Sequence, residues 1–354
     1  MSFNIVVSIA GKSQRFFDEG FQKPKFFLPM ANEKTMIEMA IDTLNIPGQL
    51  ILILQQEHCD KYGIDTFLKE KYPSAILTYL DYYTEGAAQS CYIATKKIID
   101  NDTPLIISNC DQLLEWDSAE FINKTLQEDV DGCVLTFCAD TNKNSYALTD
   151  NNSSKIIKLA EKEVISNKSL VGVHSWKKGS DFCRSAEILF RDNIRANNEY
   201  YISISYNPLI STGKSIHIVP LKENIGEKYW SVGTPVQYYE YLQAKFGTIK
   251  SSHLKNMNRG WLIGNFTPSI LQTKDFEIGY LYHLKEEQWP AHIHKEADEI
   301  NVLIKGKMMI NNENIEEKDI FIIKKGMLTK PQFLENCEIL CIKVPSIPTD
   351  KFCY

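Results

Sequence analysis

Apolar residues in the first third of the chain come in short unbroken runs, separated by polar stretches with helical periodicity. The runs Asn4–Ile9, Gln49–Leu54, Ala75–Leu80 and Thr103–Ser108 are rich in Ile, Val and Leu, which predicts buried strands. Between them, Thr35 is a candidate cap for a helix ending at Leu44. Its Met36, Ile37, Met39, Ala40 and Leu44 form one apolar stripe. Glu57 to about Glu70 reads as a polar helix and Ala87–Ile98 as another. Strand–helix alternation at this spacing predicts an α/β fold with a doubly wound, mostly parallel, Rossmann-like sheet. Ligands of such sheets gather beyond the carboxyl ends of the strands, so the loops after Ile9, Leu80 and Ser108 should share one mouth.

Past Gly132 the pattern is mixed. Strands are expected at Cys133–Cys138 and Leu170–His174, and helices at Asp181–Asn193, Tyr200–Ile210 and, after Pro235, Val236–Ala244. Residues 245–260 lose periodicity and read as a linker. From Trp261 onward the texture changes to short alternating segments such as Ile300–Ile304, Lys307–Ile310 and Ile320–Ile323, with turn candidates at Asn311-Asn312 and Lys325-Gly326. A small all-β module fits that texture. The expected division is an α/β domain over 1–244, a linker, and a β domain over 261–354.

Composition narrows the possible partners. The 354 residues carry a net charge of −6, and a polyanion normally needs a basic footprint, so nucleic acid is not an expected partner. No apolar run approaches the ~20 residues of a membrane span, and the first residues lack the basic n-region of a signal peptide. Nine cysteines occur without a CxxC spacing, which suggests reduced thiols and a cytoplasmic protein.

The first strand runs into Ala10-Gly11-Lys12-Ser13-Gln14-Arg15, followed by Lys23-Pro24-Lys25-Phe26-Phe27-Leu28-Pro29. Glycine and small residues let backbone N–H groups approach phosphate oxygens, Arg can fork onto a phosphate, and Lys adds a point charge. Further on stand Thr84-Glu85-Gly86-Ala87-Ala88-Gln89-Ser90, Asn109-Cys110-Asp111, Ala160-Glu161-Lys162-Glu163 and Trp230-Ser231-Val232-Gly233-Thr234-Pro235. In this order and spacing the set, over about residues 3–243, resembles the sugar nucleotidyltransferase family, and within it a capsule or surface-polysaccharide branch. The resemblance implies an enzyme that joins the NMP of an NTP to a sugar or polyol phosphate and releases pyrophosphate. It implies Arg15, Lys25, Asp111 and Lys162 as catalytic residues, with Mg²⁺ on Asp111. Ala10, Gly11, Ser13, Gly86, Gln89 and Asn109 would bind the nucleotide, and Glu161, Lys162 and Gly172 the acceptor. Two positions depart from the pattern. Ser13 stands where the family has Gly, which makes a positive φ costlier. Ser231 stands where it has a second metal carboxylate, and a hydroxyl is a poor replacement on Mg²⁺. Glu227 or a water is a candidate substitute.

Residues 292–306 read His-Ile-His-Lys-Glu-Ala-Asp-Glu-Ile-Asn-Val-Leu-Ile-Lys-Gly and resemble the first motif of the cupin family. On a strand His292 and His294 point to one side, so with Glu299 they make a candidate ligand set for Zn²⁺, Fe²⁺ or Mn²⁺. Thr329 occupies the position of the fourth ligand, and a metal-free barrel remains open. Cupins frequently pair, so a homodimer is also an expectation. Two further readings stay beside the nucleotidyltransferase. One is a bifunctional enzyme whose cupin isomerises or epimerises a sugar. The other is a nucleotide-sugar binder without turnover.

Overall fold

A computed structural model describes residues 2–150 and 153–354, with the side chain of Asn32 excluded. The chain forms two compact units, Met1–Gly247 and Thr248–Tyr354.

In the first unit strands β1 (Phe3–Ser8), β2 (Gly48–Gln55), β3 (Ile76–Leu80) and β4 (Leu105–Asn109) occupy the predicted runs. A short β5 (Gln112–Glu115) follows, then β6 (Gly132–Cys138), β7 (Ser145–Thr149), β8 (Ile156–Glu161), β9 (Lys168–Trp176), β10 (Ile216–Pro220) and β11 (Lys228–Ser231). The main sheet has the order β10-β6-β9-β4-β1-β2-β3, with β7 and β8 attached beside β9. β1 pairs in parallel with β2 and β4, β2 with β3, and β10 with β6. Only β9 in this row runs against its neighbours, β4 and β6.

Both sheet faces are covered, because the central strands carry apolar residues at successive positions. Val6 faces a core built with the helices Ala87–Ile99 and Gly179–Arg191. Its neighbours Ile5 and Val7 face another, with the helices Met36–Leu44, Ile64–Lys71 and Ala119–Thr125. The Thr35 cap forms as expected: its hydroxyl accepts from Glu38 N while the Glu38 carboxylate accepts from Thr35 N, a capping box.

Two helices differ from the periodic reading. The polar helix after Glu57 is two helices, Gln56–Tyr62 and Ile64–Lys71, because Gly63 adopts φ 65° between them. The segment 200–210 is a 3₁₀ turn, Ser203–Tyr206, then a short helix, Asn207–Ser211, started by Pro208. Tyr200 is extended instead, its N–H donating to Glu85 O and its C=O accepting from Ala88 N. Tyr200 and Tyr206 are buried in the core and Tyr201 is half-buried.

The second unit is all-β, its named strand pairs all antiparallel, an arrangement consistent with a jelly roll. It contains β12 (Trp261–Ile263), β13 (Glu277–His283), β14 (His292–Ile293), β15 (Asp298–Lys305), β16 (Met308–Ile310), β17 (Glu313–Ile315), β18 (Ile320–Ile323), β19 (Pro331–Phe333), β20 (Cys337–Val344) and β21 (Phe352–Cys353). The sheet β12-β13-β20-β15-β18 and the ribbon β17-β16-β19 close on Leu303, Met308, Ile310, Phe333 and Ile339. Alternation along β15 sends Glu299, Asn301 and Leu303 inward and leaves Ile300 and Ile304 exposed.

Candidate active site

The strand order places the ends of β1 and β4 side by side, with Ser8 opposite Asn109. A cleft of about 650 Å³ opens there. Ala10, Gly11, Ser13, Arg15, Lys25, Gly86, Asn109 and Asp111 all line it. These residues come from four separate stretches of sequence, and the parallel sheet brings their loops together.

The loop after β1 is held open. A Cβ placed on Gly11 would meet nothing within 4 Å, so that glycine leaves free space on the cleft side. Ser13 does adopt the positive φ its position demands, 58°. Its hydroxyl accepts from Lys25 N at 3.1 Å, which ties the loop to the following segment and offsets the backbone cost.

Lys25 Nζ lies 2.5 Å from Asp111 Oδ2, with both side chains about one-fifth exposed. Burial lowers the Lys25 pKa, but the Asp111 charge and hydrogen bond outweigh it and hold the ammonium above the usual lysine value. Asp111 is itself fixed by the short β5–β11 ribbon, in which Ser231 pairs with Gln112 and Val232 N donates to Asp111 O. A Cβ on Gly233 would sit 2.5 Å from Asp111 Oδ2, so Gly233 makes room for that carboxylate.

Asp111 suits a Mg²⁺ ion, which takes one or two protein carboxylates and completes its shell with phosphate and water. The position expected to carry a second carboxylate holds the neutral Ser231, which pairs across the ribbon with Gln112 and stands outside the cleft lining. Glu227 is committed elsewhere, accepting from Asp117 N and Lys222 N. Its candidacy as a substitute carboxylate is therefore corrected.

Gly86 is explained by close approach. It has φ 140°, and a Cβ there would lie 2.5 Å from both Tyr200 N and O. Gln89 does not line the cleft; its amide oxygen accepts from Glu85 N at 2.7 Å and so orders the loop that does. Gly172, with φ 97°, faces the side-chain amides of Asn109 and Gln112 just behind the cleft. Glu161 and Lys162 also stand outside its lining. Glu161 accepts from the Ser145 and Ser203 hydroxyls, and Lys162 Nζ donates to Tyr201 Oη at 3.1 Å. That hydrogen bond raises the Lys162 pKa. The pair is joined to the cleft through residues 199–203, of which Glu199 and Ile202 line it.

Sequence reasoning missed Gly233, Tyr83, Thr84 and Ser90. Gly233, Thr84 and Ser90 belong to segments already singled out, and the contact of Gly233 depends on Asp111, far away in the chain. Thr84 Oγ1 meets Ser90 Oγ at 2.5 Å and sets the turn before the helix Ala87–Ile99.

In the second unit His292, His294 and Glu299 do face one cavity. His294 Nε2 lies 3.1 Å from Glu299 Oε1 and its Nδ1 faces Asp350 O at 2.6 Å. His292 Nδ1 faces Pro290 O at 3.0 Å. Among the described residues no group of three or more His, Cys, Asp or Glu side chains is placed to hold a metal ion. That geometry lends the expected transition-metal set no support: His294 pairs with Glu299 and the Asp350 carbonyl, and His292 with the Pro290 carbonyl.

No protein-family model and no curated protein matches the chain. Solved structures share its fold. The nucleoside-diphosphate-sugar pyrophosphorylase from Vibrio cholerae RC9 superposes with a TM-score of 0.58 at 21% identity, over 68% of this chain and 99% of that one. The inositol-1-phosphate CTP transferase from T. maritima gives 0.54 at 12%, over 71% and 98%. A UDP-glucose pyrophosphorylase complexed with UDP-glucose gives 0.54 at 16%, over 70% and 99%. At these identities the likeness establishes the fold. Among the described residues no helix is long and apolar enough to cross a membrane.

Proposed function

We propose that the first unit is a nucleotidyltransferase. It joins the NMP of an NTP to a sugar phosphate or polyol phosphate and releases pyrophosphate, supplying a precursor for capsule or surface polysaccharide. One observation carries this: Arg15, Lys25 and Asp111, distant in sequence, line one cleft at the carboxyl ends of β1 and β4 beside an open glycine loop. The shared fold with a pyrophosphorylase and a CTP transferase supports it.

In the reaction an acceptor phosphate oxygen bonds to the α-phosphorus as the bond from that phosphorus to the β-phosphate bridging oxygen breaks. The protein's part is to position two anions and offset their charge. Gly11 and Ser13 present backbone N–H groups, and Arg15 and Lys25 take phosphate oxygens. Asp111 would hold Mg²⁺, which neutralises charge on the phosphates. Glu161 and Lys162 bind the acceptor from the 199–203 side. One specific feature, the neutral Ser231 where a second metal carboxylate is expected, favours a second reading in which the cleft binds a nucleotide sugar without turnover. The test is pyrophosphate release, measured with each of CTP, UTP, GTP, dTTP and ATP against a panel of sugar and polyol phosphates. Release with one pairing supports the transferase. Tight nucleotide-sugar binding with no release in any pairing supports the binder.

A further inference from the structure

The second unit encloses a cavity of about 750 Å³, within the range of small-molecule sites. Its inner wall holds polar groups that packing alone does not call for. Asn301 is 4% exposed, and its Nδ2 has no hydrogen-bond partner. A buried amide donor left unpaired costs stability, so its retention points to a ligand acceptor. Glu299 lies beside it on the same sheet face, an acceptor held by His294. Burial keeps the nearby His292 below the usual histidine pKa.

Near Trp289 the character changes to cationic. Arg259 Cζ lies 4.9 Å and Lys351 Nζ 4.0 Å from the centre of the Trp289 ring. The cavity's other charged pairs are closed: Lys343 with Glu277 at 2.9 Å, His283 with Glu287 at 3.2 Å. Among the described residues, Arg259 and Lys351 have no carboxylate at ion-pair distance. Two cations drawn to one indole, with no carboxylate paired to either, leave room for a counter-charge. Burial, with the charges of Arg259 and Lys343 and against the opposing pull of Cys353 and Glu299, lowers the Lys351 pKa, and a bound anion would relieve that cost.

We infer that this cavity is a second binding site, for a small anionic sugar: a polyhydroxylated ring carrying a carboxylate or a phosphate. The anion is taken by Arg259 and Lys351, the apolar ring face by Trp289, and hydroxyls by Asn301 and Glu299. A purely aromatic acid would leave Asn301 unpaired, and a neutral sugar would leave the two cations unpaired. The site needs no metal and is independent of the chemistry proposed for the first unit.

Isothermal titration calorimetry of the full chain, treated with a chelator, tests this with hexuronates, hexose phosphates, the parent neutral hexoses and inorganic phosphate. An anionic sugar should bind at least tenfold tighter than its neutral parent and than inorganic phosphate. Preference for the hexuronate or for the hexose phosphate then identifies the anion. Lys351→Met and Arg259→Ala should each weaken binding at least tenfold. Lys351→Arg should largely retain it, and thermal melting confirms that each variant folds. Lys162→Met, which removes the acceptor contact proposed for the first unit, should leave the affinity unchanged. The inference is overturned if no anionic sugar binds, or if neutral hexoses bind equally well. It is also overturned if binding survives Lys351→Met but is lost in Lys162→Met, which would assign it to the first unit.

Discussion

Lys25 and Asp111, 86 residues apart in sequence, form a 2.5 Å ion pair in the cleft that the β1 and β4 loops create. The pair preorganises the site: each charge is already desolvated and oriented before a phosphate arrives. It also links the site to pH. The folded Lys25 pKa lies above its ordinary value. Its contribution to stability is therefore complete below about pH 10.4, the ordinary lysine value, and is lost as pH rises through the raised one. Urea unfolding between neutral pH and pH 12 should show a steeper alkaline loss in the wild type than in Lys25→Met. Equal slopes would mean the pair contributes nothing.

Gly233→Ala should act on activity more than on the fold. The added methyl would press on Asp111 Oδ2, the end of a side chain that lines the cleft. Turnover should fall about 10-fold or more by displacement of the carboxylate, with the melting temperature nearly unchanged. Gly86→Ala should do the reverse. Its methyl meets the backbone of Tyr200 at a φ that side chains avoid. A stability loss of about 1–3 kcal/mol, read by chemical unfolding, is expected.

Glu161→Gln and Lys162→Met separate the two substrates. Both side chains stand outside the cleft lining and are tied to it through Tyr201 and Ser203. The acceptor KM should rise about tenfold or more, while the NTP KM stays within about twofold. A change in the NTP KM alone would move these residues to the nucleotide side.

Ser231→Asp tests the departure from the two-carboxylate pattern. Adding a carboxylate at Ser231, which pairs with Gln112 next to Asp111 in the chain, should lower the Mg²⁺ concentration needed for half-maximal activity. An unchanged or higher requirement would show that the hydroxyl is not in the metal's reach.

His174 governs the acid limb of stability. It is buried near Trp176 and Tyr206, and burial pushes its pKa down to about 3. The unfolded chain takes up a proton near pH 6.5, but the folded one does not, so stability falls as pH drops from about 6.5 towards 3, by up to about 1.4 kcal/mol per pH unit. His174→Phe should flatten that limb in pH-dependent unfolding.

Much of this architecture was legible in the residues, for physical reasons. β1, β2 and β4 are buried on both faces, so they read as continuous apolar runs whatever their neighbours are. The loop from Ala10 to Lys25 carries its chemistry in adjacent residues, and Ser13 announced its own backbone cost. What was not legible depends on distant partners. β5 and β11 exist because Gln112 meets Ser231, and neither tetrapeptide has a period of its own. β8, Ile156–Glu161, mixes Lys158 and Glu161 with apolar residues and becomes a strand only against β7. Gln89 stands at a position expected to bind the nucleotide, but its amide oxygen is used by Glu85 N. The role of Gly233 follows only once Asp111 is placed beside it.

The central claim is that the group transferred in this cleft is nucleotidyl, and isotopic labelling decides it. Wild type and Asp111→Asn are incubated with NTPs labelled at the α- or the γ-phosphorus, together with sugar and polyol phosphates. The account predicts α-label in a new sugar-linked product, γ-label in pyrophosphate, and a rate about 10²-fold lower in Asp111→Asn. γ-Label in the sugar product, or α-label transfer that Asp111→Asn leaves untouched, would contradict it.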